Sequence, residues 1–168
     1  MAAIAGIDYS SVAVHAVAID EDSGAYVGRL VADLECGPGD AFERARRVRY
    51  LLPPAGYWRD NYAAIGIEET FSNRVGTAVT LARVQGAVLA VLPREMLIMP
   101  LPANYRKPHG WKALTVGKTN ASKEEVKAWA LEQGMPPGLA QDFYDAYAIA
   151  RATRELLTSQ THQEGAAA

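Results

Sequence analysis

Cysteine is almost missing from this chain. Cys36 is the single one in 168 residues, so neither an intramolecular disulfide framework nor a thiolate zinc cluster can form. On its own, Cys36 reads as an inert core or loop thiol. Long apolar runs are missing too: nothing approaches the roughly 20 uncharged apolar residues of a membrane span. The opening Met-Ala-Ala-Ile-Ala-Gly-Ile-Asp has no basic segment ahead of a long apolar one, and a soluble, cytoplasmic protein is expected. No repeat or linker-like stretch divides the sequence. With 49% hydrophobic residues it suffices for one domain with a real core and is short for two. We expect residues 1–158 to form that domain and the polar, Ala-rich residues 159–168 to be a disordered tail.

Strong net charge is also absent, the balance being −2, but the average hides its distribution. Between Asn104 and Trp129 stand Arg106, Lys107, Lys112, Lys118, Lys123 and Lys127, against only Glu124 and Glu125. A second group, Arg44, Arg46, Arg47 and Arg49, faces Glu43. Such clusters are electrostatic footprints for phosphate, although a charge run is more often a solvated face. Gly117-Lys-Thr is no phosphate loop, because Gly110 lies too far ahead of it. Of the histidines, His15 reads as structural on a strand, His109 as an exposed loop residue and His162 as part of the tail.

Periodicity gives a coherent order of elements. Strand-length apolar runs cover Ala2 to Asp8, Ser11 to Ile19 and Tyr26 to Leu34, a three-stranded meander. Asp40 can cap a helix from Ala41 to Leu52, which Pro53 and Pro54 end. Ala63 to Glu69 is a fourth strand, Arg74 to Leu92 a long helix and Met96 to Met99 a fifth strand. Leu101 to Asn120 then reads as an extended loop. A Ser122-Lys-Glu-Glu capping box opens a helix to Gln133, and a last helix runs from Leu139 to Leu157. The fold class is α/β, a five-stranded mixed sheet of meander plus parallel strands with helices on both faces.

That topology places four acids. The helices after the fourth and fifth strands are crossovers, so the first, fourth and fifth strands are parallel neighbours. Asp8 and Glu68 close two of them, at the strand ends where open α/β sheets bind ligands. Asp142 and Asp145 project from one face of the last helix. If that helix crosses the sheet rim the four carboxylates converge, and their repulsion calls for hard divalent cations with oxygen ligands. Glu69 stands beside Glu68 as a competing candidate, and strand alternation favours Glu68. Taken singly, each acid is equally well a cap or a solvated charge.

Ala5-Gly-Ile-Asp8, Ala64-Ile-Gly-Ile-Glu68-Glu-Thr-Phe71, the stretch from Lys112 to Val126, and Asp142-Phe-Tyr-Asp145-Ala-Tyr-Ala-Ile-Ala stand in one order along the chain. In that order they resemble the successive motifs of RuvC-type Holliday-junction resolvases. The resemblance implies an RNase H-like fold, a homodimer, and paired nicking of four-way or branched DNA with two Mg²⁺ per site, for which Mn²⁺ can substitute. It implies Asp8, Glu68, Asp142 and Asp145 as metal ligands and catalytic residues. Phe71 would stack near the junction centre, and Lys118 and Lys123 would meet phosphate. Asn73, Arg74, Arg106, Lys107 and Lys112 complete the expected DNA contacts.

The departures are specific. Tyr9-Ser10 follows the first acid where the family commonly has Pro-Gly, and Glu69 stands where the cellular enzymes usually carry an amide. The compact length resembles a bacteriophage or otherwise divergent branch. Phe71 is plain core if the fourth strand runs on. The helix around Arg74 to Leu92 is apolar on two sides, with Leu81, Val84, Val88 and Val91 on one and Ala78, Ala82, Gly86 and Leu89 on another, which suits either a homodimer or burial within one chain. An RNase H-like nuclease of another specificity, and a non-catalytic branched-DNA-binding module, remain alternatives.

Overall fold

A computed structural model describes residues 2–35, 41–69, 75–102 and 110–166. The meander is present as β1 (Ala3–Tyr9), β2 (Ala13–Asp20) and β3 (Tyr26–Asp33), joined by antiparallel ladders. After α1 (Ala41–Leu51) and α2 (Ala55–Asn61), β4 (Tyr62–Glu69) pairs parallel to β1. Beyond α3 (Val75–Val91), β5 (Leu97–Pro102) joins β4 in parallel with an irregular register, giving the order β3-β2-β1-β4-β5. The parallel adjacency of the first, fourth and fifth strands is therefore as expected. β5 continues through Pro100 and Pro102 rather than stopping at Met99, because an edge strand tolerates residues with no amide to donate.

Each sheet face carries its own core. Ala5, Ile7, Tyr9, Val14, Ala16, Ile65 and Ile67 point to one side, where they meet Val48 of α1, Trp58 of α2, and Val84 and Val88 of α3. Ile4, Val17 and Ile19 point to the other, against Phe143, Tyr144, Ala146, Tyr147 and Ala150 of α6 (Gln141–Ala166). A third cluster packs Ala148, Ile149 and Ala152 of α6 against Trp111 of α4 (Trp111–Thr115) and Val126 of α5 (Lys123–Glu132). Strand alternation thus sorts successive residues between two helical layers.

Three expectations need correcting. Residues 55–61 form a helix that the periodicity did not indicate. Pro54 sits at its N-cap, and Trp58 is buried with its indole N–H donating to the Pro53 carbonyl at 2.8 Å. The extended loop expected from Leu101 to Asn120 contains α4. The last helix does not stop at Leu157 but runs to Ala166, into the segment expected to be a tail. Thr158 and Ser159, the polar residues there, donate their hydroxyls to the carbonyls of Arg154 and Glu155 within the helix. Among the described residues no helix is long and apolar enough to cross a membrane.

Helix α6 lies directly on the sheet because two glycines make room for it. A Cβ built on Gly6 would stand 2.1 Å from the Ala146 carbonyl oxygen and 2.3 Å from the Ala150 nitrogen. One on Gly66 would stand 1.9 Å from the Thr153 hydroxyl oxygen. Further along, Arg154 donates to the carbonyls of Glu21 and Asp22 and so ties α6 to the β2–β3 turn.

Candidate metal centre

The first acid sits near the end of β1, and the residues after it shape the hairpin that holds it. Tyr9 turns into the core opposite α6. The Ser10 hydroxyl accepts from the amides of Val12 at 3.2 Å and Ala13 at 3.0 Å, while the Ser10 amide donates to the Ala13 carbonyl at 2.8 Å. Ser10 therefore builds the turn through its side chain.

Asp8 is buried on the α6 side of the sheet, and α6 brings its first turn over that position. One carboxylate oxygen each from Asp8, Asp142 and Asp145 lies within 4.8 Å of the others. Glu68 stands against Asp8, and its Oε1 accepts from the Trp111 indole N–H at 3.3 Å. Of the two adjacent glutamates, Glu68 thus faces the cluster, whereas the Glu69 side chain lies outside the described residues. The four acids are brought together, with Glu68 hydrogen-bonded to Asp8 and close enough for its charge to act on Asp145.

The electrostatics are those of a site short of positive charge. Burial holds the Asp8 carboxyl well above the ordinary carboxylate range, reinforced by the charge of Glu68, a hydrogen bond shared with it, and the charges of Asp145 and Asp142. Burial likewise pushes Asp145 up to about 6, with Glu68 adding to the rise. A hydrogen bond from Gln141 and the charges of Lys123 and Lys112 hold it back. The Gln141 amide spans the gap between helices, donating to Asp145 Oδ1 and to the Lys123 carbonyl, both at 3.0 Å. Buried carboxylates that repel one another suit a hard divalent cation, which would supply the missing charge.

The basic residues take different places. The Lys123 ammonium lies 3.9 Å from Asp142 Oδ1 and is largely exposed. Lys118 pairs with Glu125 at 2.5 Å on the surface, a contact of the kind worth about 0–1 kcal/mol and readily exchanged. Lys112 donates to the Ala121 carbonyl at 2.9 Å and lies over the Trp111 ring, so it braces the loop after α4. Phe71, Asn73, Arg74, Arg106 and Lys107 lie outside the described residues, as do Cys36 and His109.

Three residues beside the cluster escaped the reading from sequence. Gln141 could have been found by spacing, since it lies one turn before Asp145 on the same helix face. His15 could have been found from strand register, because it is the direct partner of Asp8 across the β1–β2 ladder. Trp111 comes from a stretch with no periodicity and gave no local signal.

This mixed sheet, with a long helix laid across it and acids at two strand ends and in the helix's first turn, defines a RuvC-like fold. The Thermus thermophilus RuvC structure superposes with a TM-score of 0.69 at 20% identity, over 93% of this chain and 96% of that one. T. thermophilus RuvC in complex with Holliday junction substrate gives a TM-score of 0.67 at 21% identity, over 90% and 92%. At that identity the likeness speaks for the fold. No protein-family model and no curated protein matches the sequence.

Proposed function

We propose that this chain is a structure-selective DNA endonuclease that resolves Holliday junctions and related branched DNA by metal-dependent phosphodiester hydrolysis. The observation that carries this reading is the convergence of Asp8, Asp142 and Asp145, with Glu68 against Asp8, on the face covered by α6. The RuvC-like fold supports it, one neighbour having been solved with Holliday junction substrate.

Asp8, Glu68, Asp142 and Asp145 would hold two Mg²⁺, or Mn²⁺ in their place. Two such cations stabilise both the attacking and the leaving oxygen of an in-line displacement. The chain's own residues set the geometry: Trp111 fixes Glu68, Gln141 fixes Asp145, and Lys123 adds a mobile positive charge at the rim for the phosphate. A homodimer through α3 would give paired, symmetric nicks. Val84 and Val88 of that helix face its own core, while Val79, Ala82, Gly86 and Ala90 stay exposed as a narrow, small-residue face. An isologous pair through that face presents two sites to a two-fold junction. Such an enzyme works where the DNA is, in the cytoplasm of a bacterial or phage-infected cell.

The test is a labelled synthetic four-way junction incubated with Mg²⁺ and with chelator. Paired symmetric nicks that need the cation are expected, and Asp8→Asn should lose cutting by on the order of 10⁴-fold while still binding the junction. Equal cutting of linear duplex would defeat the selectivity, preferred cutting of an RNA–DNA hybrid would point to another RNase H-like specificity, and tight binding with no cleavage would leave a binding module.

A further inference from the structure

Beside the cluster, Nδ1 of His15 is a buried polar atom that the chemistry above does not use. Strand β2 places this histidine directly across the ladder from Asp8, on the face that α6 covers. The side chain is nine-tenths buried, and Nδ1 has no hydrogen-bond partner among the described residues. The ring is held edge-on to Phe143, with centroids 4.8 Å apart and an interplanar angle of 86°, and Arg29 covers Phe143 in turn at 5.0 Å. So clamped, the ring aims Nδ1 at Asp142 Oδ2, 3.6 Å away and just beyond hydrogen-bond reach. The other oxygen of the same carboxylate, Oδ1, faces Lys123.

We propose that His15 is a positioning residue for the metal site, its Nδ1–H donating to Asp142 Oδ2 and holding that carboxylate in its ligating orientation. The proposal rests on the metal-site reading above. His15 stands behind Asp142, its Nδ1 3.6 Å from Oδ2 of that carboxylate, and lies outside the group formed by Asp8, Asp142 and Asp145. It reaches the site through one carboxylate, as the hydrogen-bonding residues behind metal ligands commonly do. The polar group that Nδ1 faces is this carboxylate, and a proton on Nδ1 is all that the pairing needs. A small movement of Asp142 closes the remaining gap and satisfies a nitrogen that would otherwise stay orphaned in the core. A histidine buried purely for packing would have no need of its nitrogen.

Titrating Mn²⁺ into the full chain by calorimetry separates these roles without relying on cleavage. His15→Phe keeps an aromatic ring against Phe143 and lacks the donor, and its Mn²⁺ affinity should fall about 10- to 100-fold. His15→Asn, whose amide nitrogen can take the place of Nδ1, should recover most of the loss. In chelator, His15→Phe should melt no lower than the parent. Should His15→Phe not fold, His15→Leu carries the same comparison against His15→Asn. Parent-like Mn²⁺ affinity in the variant without a donor, or His15→Asn binding as weakly as that variant, overturns the proposal and leaves His15 as core. A parent that binds no Mn²⁺, or an Asp145→Asn variant that binds it as the parent does, overturns the metal site itself and this proposal with it.

Discussion

Gly6 of β1 and Gly66 of β4 are register partners in the parallel ladder, and together they form the floor on which α6 rests. Both stand two residues before an acid of the site, on the same strand face. The notch that admits the helix and the carboxylates that the helix completes are therefore set by the same two strands.

Gly6→Ala should be severely destabilising, because its Cβ would meet the backbone of α6 at Ala146 and Ala150, which cannot turn aside. A loss above about 3 kcal/mol in urea unfolding is expected, at or beyond the usual range for overpacking. Gly66→Ala collides mainly with the Thr153 side chain, so Gly66→Ala combined with Thr153→Ala should recover part of its loss. Additive losses in that double variant would show that α6 does not sit as described.

Stability of the metal-free protein should depend on pH through Asp145. Its carboxyl titrates at about 6 in the fold against an ordinary 3.8, so between those values the folded chain holds a proton that the unfolded chain releases. Stability therefore falls as pH rises through that window and stays lowered above it. The penalty is on the order of 3 kcal/mol, an upper figure because the site relaxes. In chelator, Asp145→Asn should be more stable than the parent at pH 8, and the gap should close by pH 4. Taking the difference cancels His15, whose shift is in the opposite direction. Saturating Mn²⁺ should reverse the trend in the parent, since the cation needs ionised ligands. Thermal melts of the two proteins across pH check this, and equal melting temperatures at pH 8 would refute it.

Trp111→Phe keeps the buried ring and removes the N–H that Glu68 accepts. We expect a cost of about 1–3 kcal/mol in unfolding and roughly tenfold slower single-turnover cleavage, with junction binding unchanged. A full-rate variant would mean that Glu68 keeps its orientation without the indole.

How much of this was legible in the sequence depended on the length and regularity of each segment. The meander, β4 and the acids could be read because alternation marks strands and the acids close them. Helices α2 and α4 could not, being only 7 and 5 residues long, too short to show a helical period. At α2, Pro53-Pro54 reads as a stop, although the second proline serves as the N-cap of the next helix. Alternation favours Glu68 over Glu69, and Glu68 stands against Asp8, while the Glu69 side chain lies outside the described residues. Of the neighbours of the acids, Gln141 and His15 could be reached from helix spacing and strand register, whereas Trp111 reaches the site by tertiary packing alone. The Gly-Ile-Asp8 and Gly-Ile-Glu68 motifs held more than acids: each glycine is the clearance that lets the last helix approach.

The position of α6 along the chain also gives the site an order of assembly. Asp8 and Glu68 leave the ribosome well before Asp142 and Asp145, since domains are synthesised and begin to fold from their N-terminal side. Until α6 settles into the Gly6–Gly66 notch, a nascent chain carries two of the acids without the other two. The acidic group proposed to hold the cations is therefore complete only once α6 has docked on the sheet.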